Sequence, residues 1–229
     1  MPQIYYDVQA TGAGIFMQNQ ELLERIYRGK RSALKRQILA EALQCFLEQG
    51  IETATIEMIR ERAETSVGAI YHHFKNKEGL VAALYLAAIQ DQAERRDQAL
   101  QSAQNLHQGI QIIIGSYIDW VMDYPDFARF LYATNFSISK SAQKEELKQK
   151  NAARNQHLLV WMKQQQDYAV IQQVPHELFL SLMVGSTESY CRAWLSGRVK
   201  TAPKSYKAAF ALAAWSGFEQ LQAQRGTAE

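Results

Sequence analysis

The chain has 229 residues, of which 47% are hydrophobic and 21% are charged, and its formal net charge at pH 7 is +2. This length and composition suffice for one or two folded domains and exclude disorder as the general state of the chain. The near-neutral charge also excludes a protein that coats nucleic acid through overall basicity, so nucleic-acid binding would need a local basic patch.

The cysteine count and the hydrophobic runs narrow the class of protein further. The two cysteines, Cys45 and Cys191, lie far apart, which excludes a disulfide scaffold and a zinc ribbon and is typical of the reducing cytosol. No run approaches 18 apolar residues, and the N-terminus has no basic segment followed by an apolar one. We therefore expect a cytoplasmic protein with no secretory signal and no membrane partner.

The first part of the chain has no clear hydrophobic period, and a basic segment follows it. We predict that residues 1–24 form a tail or a loosely attached, flexible extension. Glu21–Gln37 contains six basic and two acidic side chains, a local excess of +4. Such a run is either the solvated face of a helix or a basic arm that reaches nucleic-acid phosphates.

Hydrophobic periodicity predicts about nine helices along the chain and no strand. A helix at about 32–49 is followed by two short helices, the first capped by Thr55 and the second beginning near Ser66. Asn76 is predicted to cap a fourth helix, which joins a small N-terminal domain to a larger helical bundle. The predicted fold class is therefore all-α.

The two short helices and the longer helix before them have the layout of a helix-turn-helix unit. A helix that enters a major groove about 12 Å wide must be free of bulky side chains near its N-terminus. Four small residues open the second short helix: Ser66, Val67, Gly68 and Ala69. Hydrogen-bonding and cationic side chains follow them: Tyr71, His72, His73, Lys75 and Lys77. The alternative is a plain helical hairpin in which Ile70 and Phe74 are core residues and the histidines are ordinary surface.

Over residues 35–85 the chain resembles the DNA-binding domain of the TetR/AcrR family of transcriptional repressors. That family has a helix ending in Phe-x-x-x-Gly, a Thr-rich turn and a short helix, then small-Gly-small-apolar-Tyr-x-x-Phe and x-x-Lys-x-x-Leu. The matching positions here are Phe46, Gly50, Thr53, Thr55, Ser66, Gly68, Ala69, Tyr71, His72, Phe74, Lys77 and Leu80.

Two positions beside the predicted turn depart from the family pattern. Glu64 stands where the family usually has Gly, which indicates either a turn that needs no positive φ or a strained turn. Its carboxylate would also weaken the attraction of this turn for phosphate. Arg60 stands where the family usually has Ala, and we expect it to point outward and contact the DNA backbone.

The resemblance implies which residues contact DNA. Phosphate contacts would come mainly from Thr53, Thr55, Tyr71 and Lys77. Base edges would be faced by Ser66, Val67, Ala69 and His72. Gly68 and His73 complete this predicted surface, and Arg31 and Lys35 belong to the basic arm. The predicted domains are then an extension at 1–24, a helix-turn-helix domain with its arm at 25–76, and a ligand-binding and dimerisation domain at 77–229.

The resemblance also implies a dimer interface in the last two helices, and small residues there allow close helix packing. The candidate interface residues are Leu182, Gly185, Ser189, Ala209, Leu212, Ala213, Ser216 and Gly217. Packing of the same residues within one subunit is the alternative. A two-fold operator favours the dimer, because such a site is matched by a two-fold protein.

An effector pocket is predicted in the larger domain, where aromatic and a few polar side chains recur. The candidates are Tyr117, Trp120, Phe127, Phe130, Asn135, Trp161, Glu188, Tyr190, Arg192 and Trp194. Many aromatic residues of a helical bundle are core residues, which is the alternative for this set. The expected effector is a small apolar or aromatic molecule with one polar end.

Catalytic, metal and cofactor sites are not predicted. The isolated histidines His107, His157 and His176 lack partners at metal-ligand spacing, and Cys191 has no local base. We therefore predict a non-enzymatic homodimeric regulator that binds double-stranded operator DNA, with a repressor released by its effector as the favoured form. The alternatives are a helical ligand-binding or adaptor protein that has lost sequence-specific DNA binding, suggested by Glu64 and the low net charge, and an all-α enzyme.

Overall fold

A computed structural model describes residues 12–138 and 144–226, which contain eleven α-helices and no β-strand. The helices are α1 (Gly12–Ile26), α2 (Ala33–Gln49), α3 (Ile56–Arg62), α4 (Val67–Phe74), α5 (Lys77–Leu100), α6 (Leu106–Asp123), α7 (Pro125–Ile138), α8 (Lys144–Lys163), α9 (Ala169–Gln172), α10 (His176–Leu195) and α11 (Lys207–Gly226). Short 3₁₀ turns at Lys30–Ser32 and Pro203–Tyr206 precede α2 and α11. The all-α prediction is confirmed.

Two of these helices were not among those predicted, and α1 is the more important of them. The sequence predicts a loosely attached extension at residues 1–24, whereas α1 packs against α2 and α7 and buries Leu22 and Leu23 completely. Asn19 occupies a buried position on the same face. Because a polar residue stands where the helical stripe needs an apolar one, the hydrophobic period of α1 is interrupted. The other unpredicted helix, α9, has only four residues.

The chain divides into two compact units, and the first contains a segment from the middle of the sequence. The first unit, also called the N-terminal unit below, comprises Met1–Ala88 and Asp123–Ile138. The second comprises Ile89–Met122 and Ser139–Glu229. Helix α7 therefore packs with the N-terminal helices, although the sequence predicts that it belongs to the domain at 77–229. The boundary between the units falls within α5, after Ala88.

Helices α1, α2 and α7 meet in the core of the first unit. The rings of Phe46 in α2 and Phe130 in α7 stack with their centroids 6.1 Å apart. Asp126, which is 9% exposed, accepts hydrogen bonds from the side-chain amides of Asn19 at 2.9 Å and Gln44 at 3.0 Å. One buried carboxylate thus joins α1, α2 and α7, and it supplies the partner that a buried Asn19 requires.

The second unit is held by aromatic residues packed between helices. The indole nitrogen Nε1 of Trp120 in α6 donates to the buried carboxylate of Asp91 in α5 at 2.9 Å. A Cβ on Gly109 would lie 2.1 Å from the ring of Trp161, so α6 and α8 meet where a glycine leaves room for that ring. Helices α10 and α11 pack through the rings of Phe179 and Phe218, whose centroids are 5.5 Å apart.

Within residues 12–138 and 144–226, no helix combines the length and the apolar character needed to cross a membrane.

Candidate DNA-binding surface

The two short helices of the predicted helix-turn-helix begin at side-chain caps. Thr55 Oγ1 accepts a hydrogen bond from the Met58 amide at 3.2 Å, and Ser66 Oγ accepts one from the Ala69 amide at 3.1 Å. These caps satisfy amide groups that have no partner within the first turn of a helix. The predicted cap at Thr55 and the predicted helix start near Ser66 are confirmed.

The turn between α3 and α4 is strained at Glu64, the second of the two alternatives derived from the sequence. Its φ is +46°, in the left-handed region. The Thr65 amide donates to the Arg60 carbonyl at 3.2 Å, and the Glu64 amide donates to the Glu61 carbonyl at 3.3 Å. This bond pattern is a Schellman motif with Glu64 at the position that glycine usually takes.

The charges of α3 are largely paired within the N-terminal unit. Arg60 bonds both Glu57 and Glu61 of its own helix instead of projecting as a free cation. Arg62 pairs with Glu48 of α2. Helix α3 therefore contributes little unpaired positive charge to the surface.

Helix α4 has one buried face and one open face. Ile70 and Phe74 are buried, as the periodicity predicts. The exposed residues of this segment are Ser66, Gly68, Tyr71 and His72, and the half-buried ones are Val67, Ala69 and His73. A Cβ on Gly68 would meet only Ser66 Oγ, at 3.8 Å, so internal packing does not require this glycine. The small residues thus lie where a groove could approach the backbone.

The end of α4 contacts the beginning of α5 closely, and the sequence pattern does not predict this contact. Lys75 has φ 65° and ψ −43°, and the Asn76 amide donates to the Phe74 carbonyl at 2.8 Å, which closes a γ-turn with positive φ. A Cβ on Gly79 would lie only 1.9 Å from that carbonyl oxygen. The close approach requires glycine at this position, and it fixes the direction of α4 against α5.

The basic arm is anchored by contacts within the N-terminal unit. Arg36 Nη1 donates to the carbonyls of Tyr27 at 2.7 Å and Gly29 at 2.9 Å. The Lys35 ammonium lies 4.1 Å from the centre of the Tyr27 ring and 5.8 Å from that of Phe74. Lys35, predicted as a DNA contact, therefore lies against two aromatic rings, and its ammonium is less available to bind a phosphate.

Other cations of the N-terminal unit remain available to a ligand. Lys30, Arg31 and Lys75 are exposed, and none of them forms an ion pair with the residues that the structure describes. Lys30 and Arg31 lie in the 3₁₀ turn before α2, and Lys75 follows α4 directly. Arg31 thus has the free guanidinium that its predicted role needs.

The predicted phosphate ligand Lys77 lies at the start of α5 and donates to three backbone carbonyls. Its Nζ is 2.9 Å from the Ile51 oxygen, 3.0 Å from that of Glu52 and 3.1 Å from that of Ala54. These carbonyls belong to the loop before α3, which also carries the exposed Thr53. The Lys77 side chain is half-buried and not free.

The two histidines of α4 lie edge to face, with ring centroids 5.2 Å apart. His73 also lies beside Phe74, at 5.9 Å between ring centroids. Burial lowers the pKa of His73 below its usual value of 6.5, and the nearby charges of His72 and Lys35 lower it further. The neutral imidazole of His73 is therefore favoured near neutral pH.

The candidate effector-pocket residues are distributed over several environments. Phe127 and Phe130 are core residues of the N-terminal unit, and Trp120 is buried against Asp91. Glu188 and Arg192 form an ion pair along α10. The other candidates in the second unit, Tyr117, Trp161, Tyr190 and Trp194, are half-buried. The side chain of Asn135 lies outside the described residues.

The candidate dimer residues divide into an exposed set and a packed set. Leu212 is 63% exposed on α11, and the other exposed candidates are Ala209 and Ala213 on the same helix and Ser189 on α10. Leu182 and Gly217 face each other across α10 and α11, since a Cβ on Gly217 would lie 3.3 Å from Leu182 Cδ2. Gly185 and Ser216 are half-buried. Part of the predicted interface therefore packs within the subunit, and part is an unpartnered apolar surface.

A groove of about 430 Å³ adjoins this surface between α10 and α11. Its walls include Tyr190, Phe210 and Arg198. The centroid of the Tyr190 ring lies 5.5 Å from that of Phe210, and the Tyr190 hydroxyl donates to the Thr201 carbonyl at 3.1 Å.

Comparison with known proteins identifies the family of the helix-turn-helix segment. Residues 38–84 match the family model described as bacterial regulatory proteins, tetR family. The chain is 45% identical over 53 residues to the HTH-type transcriptional repressor AcnR of Corynebacterium diphtheriae, a match that covers 23% of this chain and 28% of the relative. It is 34% identical over 97 residues to the HTH-type transcriptional regulator BetI of Escherichia coli, covering 40% of this chain and 48% of the relative.

Solved structures extend the likeness to most of the fold. A TetR family transcription regulator from Marinobacter aquaeolei has a TM-score of 0.70 at 17% identity, covering 82% of this chain and 96% of that one. FadR from Bacillus subtilis, solved in complex with stearoyl-CoA, has a TM-score of 0.59 at 19% identity, covering 79% and 97%. The curated relatives above match over about a quarter to a half of their own length. TetR family regulators are DNA-binding transcription factors and not enzymes.

Replacing Glu64 by glycine is expected to stabilise the protein. The left-handed conformation costs a non-glycine residue about 1–2 kcal/mol. Glycine removes that strain but also raises the entropy of the unfolded chain, which destabilises the folded protein by about 0.4–1 kcal/mol. We expect Glu64→Gly to raise the free energy of unfolding by about 0.5–1 kcal/mol, measured by urea denaturation. Glu64→Gln, which keeps the Cβ and removes the charge, is the control. An equal gain in the control would assign the effect to charge instead of backbone strain.

His73 is expected to make the folded protein less stable in mild acid. Because its folded pKa lies below the unfolded value, the unfolded chain takes up the proton first, and stability falls as the pH decreases below about 6.5. His73→Gln should remove this part of the pH dependence of the thermal midpoint. An NMR titration of the His73 ring checks the cause directly, and a midpoint at or above 6.5 would contradict it.

Proposed function

We propose that this chain, which belongs to the TetR family through its N-terminal DNA-binding domain, is a homodimeric transcriptional regulator that binds operator DNA. The observation that carries the proposal is the open face of α4, where small residues are followed by Tyr71 and His72. The family match covers the same residues. The protein would act in the cytoplasm.

In this proposal α4 enters the major groove and its neighbours contact the backbone. Ser66, Val67 and Ala69 would approach the base edges, since their short side chains leave the groove floor accessible. Tyr71 and the hydroxyl groups of Thr53 and Thr55 would bind phosphates. Lys30, Arg31 and Lys75 would supply the local positive charge that a chain of net charge +2 otherwise lacks.

Dimerisation would place two copies of α4 in successive major grooves, about 34–36 Å apart. The exposed apolar surface around Leu212 supports an interface through α10 and α11, since an apolar surface of this kind commonly marks a protein contact. The exposed Leu180 of α10 adds to the apolar character of these two helices.

A small effector would release the DNA by changing the orientation of α5, which begins at the end of α4, the proposed recognition helix. The effector must bind the DNA-binding and the DNA-releasing conformations with different affinity. A reversal of their populations from 99:1 to 1:99 requires a difference of about 5.5 kcal/mol. The effector class remains an apolar or aromatic molecule with one polar end. A long-chain acyl thioester, the kind of ligand bound to the FadR neighbour, is one member of that class.

Replacing Tyr71 is expected to weaken operator binding without unfolding the protein. Tyr71 is 48% exposed, so its removal leaves the core intact. A hydrogen bond to a charged phosphate is worth about 1.5–3 kcal/mol, and we expect Tyr71→Ala to weaken binding at least ten-fold. Fluorescence anisotropy with DNA from upstream of the protein's own gene, against scrambled DNA at two salt concentrations, measures this.

Leu159→Ala is the matched control, because Leu159 is 51% exposed on α8. Unchanged affinity of Tyr71→Ala would place the recognition surface elsewhere. If the wild-type protein binds neither DNA, the ligand-binding or adaptor alternative is favoured over the regulator.

A charge at Leu212 is expected to separate the dimer. Glutamate at this exposed position leaves the subunit folded but would bury an unpaired carboxylate in the proposed interface, at a cost of several kcal/mol. Leu212→Glu should therefore be monomeric by size-exclusion chromatography with light scattering at concentrations where the wild type is dimeric. Leu159→Glu is the control for an added surface charge. A Leu212→Glu dimer of wild-type affinity would exclude this interface.

A further inference from the structure

We infer that Lys77 is a positioning residue that holds the loop before α3 for DNA binding, and that it does not itself neutralise a phosphate. The inference rests on the proposed function and assigns Lys77 a role other than the one its residue type suggests. A lysine at the N-terminal end of a helix beside a DNA-binding surface would ordinarily be counted among the phosphate ligands.

The three donors of the Lys77 ammonium are all occupied within the protein. The carbonyl oxygens of Ile51, Glu52 and Ala54 lie at 2.9, 3.0 and 3.1 Å from Nζ. An ammonium group has three N–H donors and no acceptor, so this set uses its full capacity. To bind a phosphate, Lys77 would have to release at least one carbonyl, and the bonds of Ile51 and Ala54 are partly shielded from water.

The position of these carbonyls explains what the ammonium holds in place. The loop at 51–54 connects α2 to α3 and presents the exposed Thr53, and the cap residue Thr55 follows it directly. Without a cation, three carbonyl dipoles would point their negative ends toward one another. Lys77 removes that repulsion and joins the loop to the first residue of α5.

The same end of α5 also holds the recognition helix. Gly79, two residues after Lys77, lies against the Phe74 carbonyl at the end of α4. Lys77 and Gly79 therefore attach the loop and the recognition helix to one turn of α5. These two attachments therefore help to set the separation between the Thr53 hydroxyl and the open face of α4.

Lys75 provides a matched comparison two residues away. Its side chain is exposed and forms no ion pair with the described residues, so its charge is available to a phosphate. Each phosphate contact that is lost lowers the dependence of log K on log salt by about 0.9. The salt dependence of binding therefore separates a phosphate ligand from a positioning residue.

The test is a titration of the 229-residue chain with DNA from upstream of its own gene, between about 50 and 200 mM salt. We expect Lys77→Met to weaken binding at least ten-fold with the wild-type salt slope, and Lys77→Arg to restore most of the affinity, because its guanidinium again bonds the carbonyls. Lys75→Met should lower the slope by about 0.9. A loss of slope for Lys77→Met as large as that for Lys75→Met, or an unchanged affinity, would overturn the inference.

A second measurement uses the free wild-type protein, so it depends neither on the folding of a variant nor on DNA binding. In ¹⁵N NMR of the lysine side chains, the Lys77 ammonium protons should exchange slowly with water in the free protein, and those of Lys75 should exchange fast. Fast exchange at Lys77 would overturn the positioning role. Slow exchange combined with no DNA binding by the wild type would instead refute the proposed function and leave the loop attachment intact.

Discussion

The contact between the Phe74 carbonyl and Gly79 is the constraint on which the proposed DNA-binding surface depends. Helix α4 has only eight residues, too few for a stable helix in isolation. Its direction is set by the γ-turn at Lys75 and by an approach to α5 that leaves no room for a Cβ at Gly79. Ile70 and Phe74 then bury the inner face, and the small residues and Tyr71 are left on the outer one.

The basic side chains of the N-terminal unit occupy two kinds of environment, and residue type does not distinguish them. Arg36, Lys35 and Lys77 bond carbonyls or lie on aromatic rings, so they stabilise the arm and the loop before α3. Lys30 and Arg31 remain exposed. A near-neutral protein that binds DNA must place its few free cations at the contact surface, because no general excess of charge can compensate for a misplaced one.

Polar residues at buried positions organise the rest of the N-terminal unit. Asp126 begins α7 and is bonded by Asn19 of α1 and Gln44 of α2, so a segment distant in sequence packs with the helix-turn-helix domain. A buried carboxylate without these amide donors would be costly, and the three helices are therefore held in one register. Glu64, in contrast to Asp126, lies at a strained backbone position, and its side chain forms no compensating bond with the described residues.

The all-α class, the helix-turn-helix, the cap at Thr55 and the helix start near Ser66 all follow from the sequence, because they depend on local periodicity and on bonds within four residues. Tertiary structure decided the features that depend on distant partners. The packing of α1 was hidden because Asn19 is stabilised by Asp126, 107 residues away. The environment of Lys77 was hidden because its carbonyls lie 23 to 26 residues earlier. Phe127 and Phe130 have the residue type of pocket residues, but both are buried in the first unit, and Phe130 stacks on Phe46 of α2.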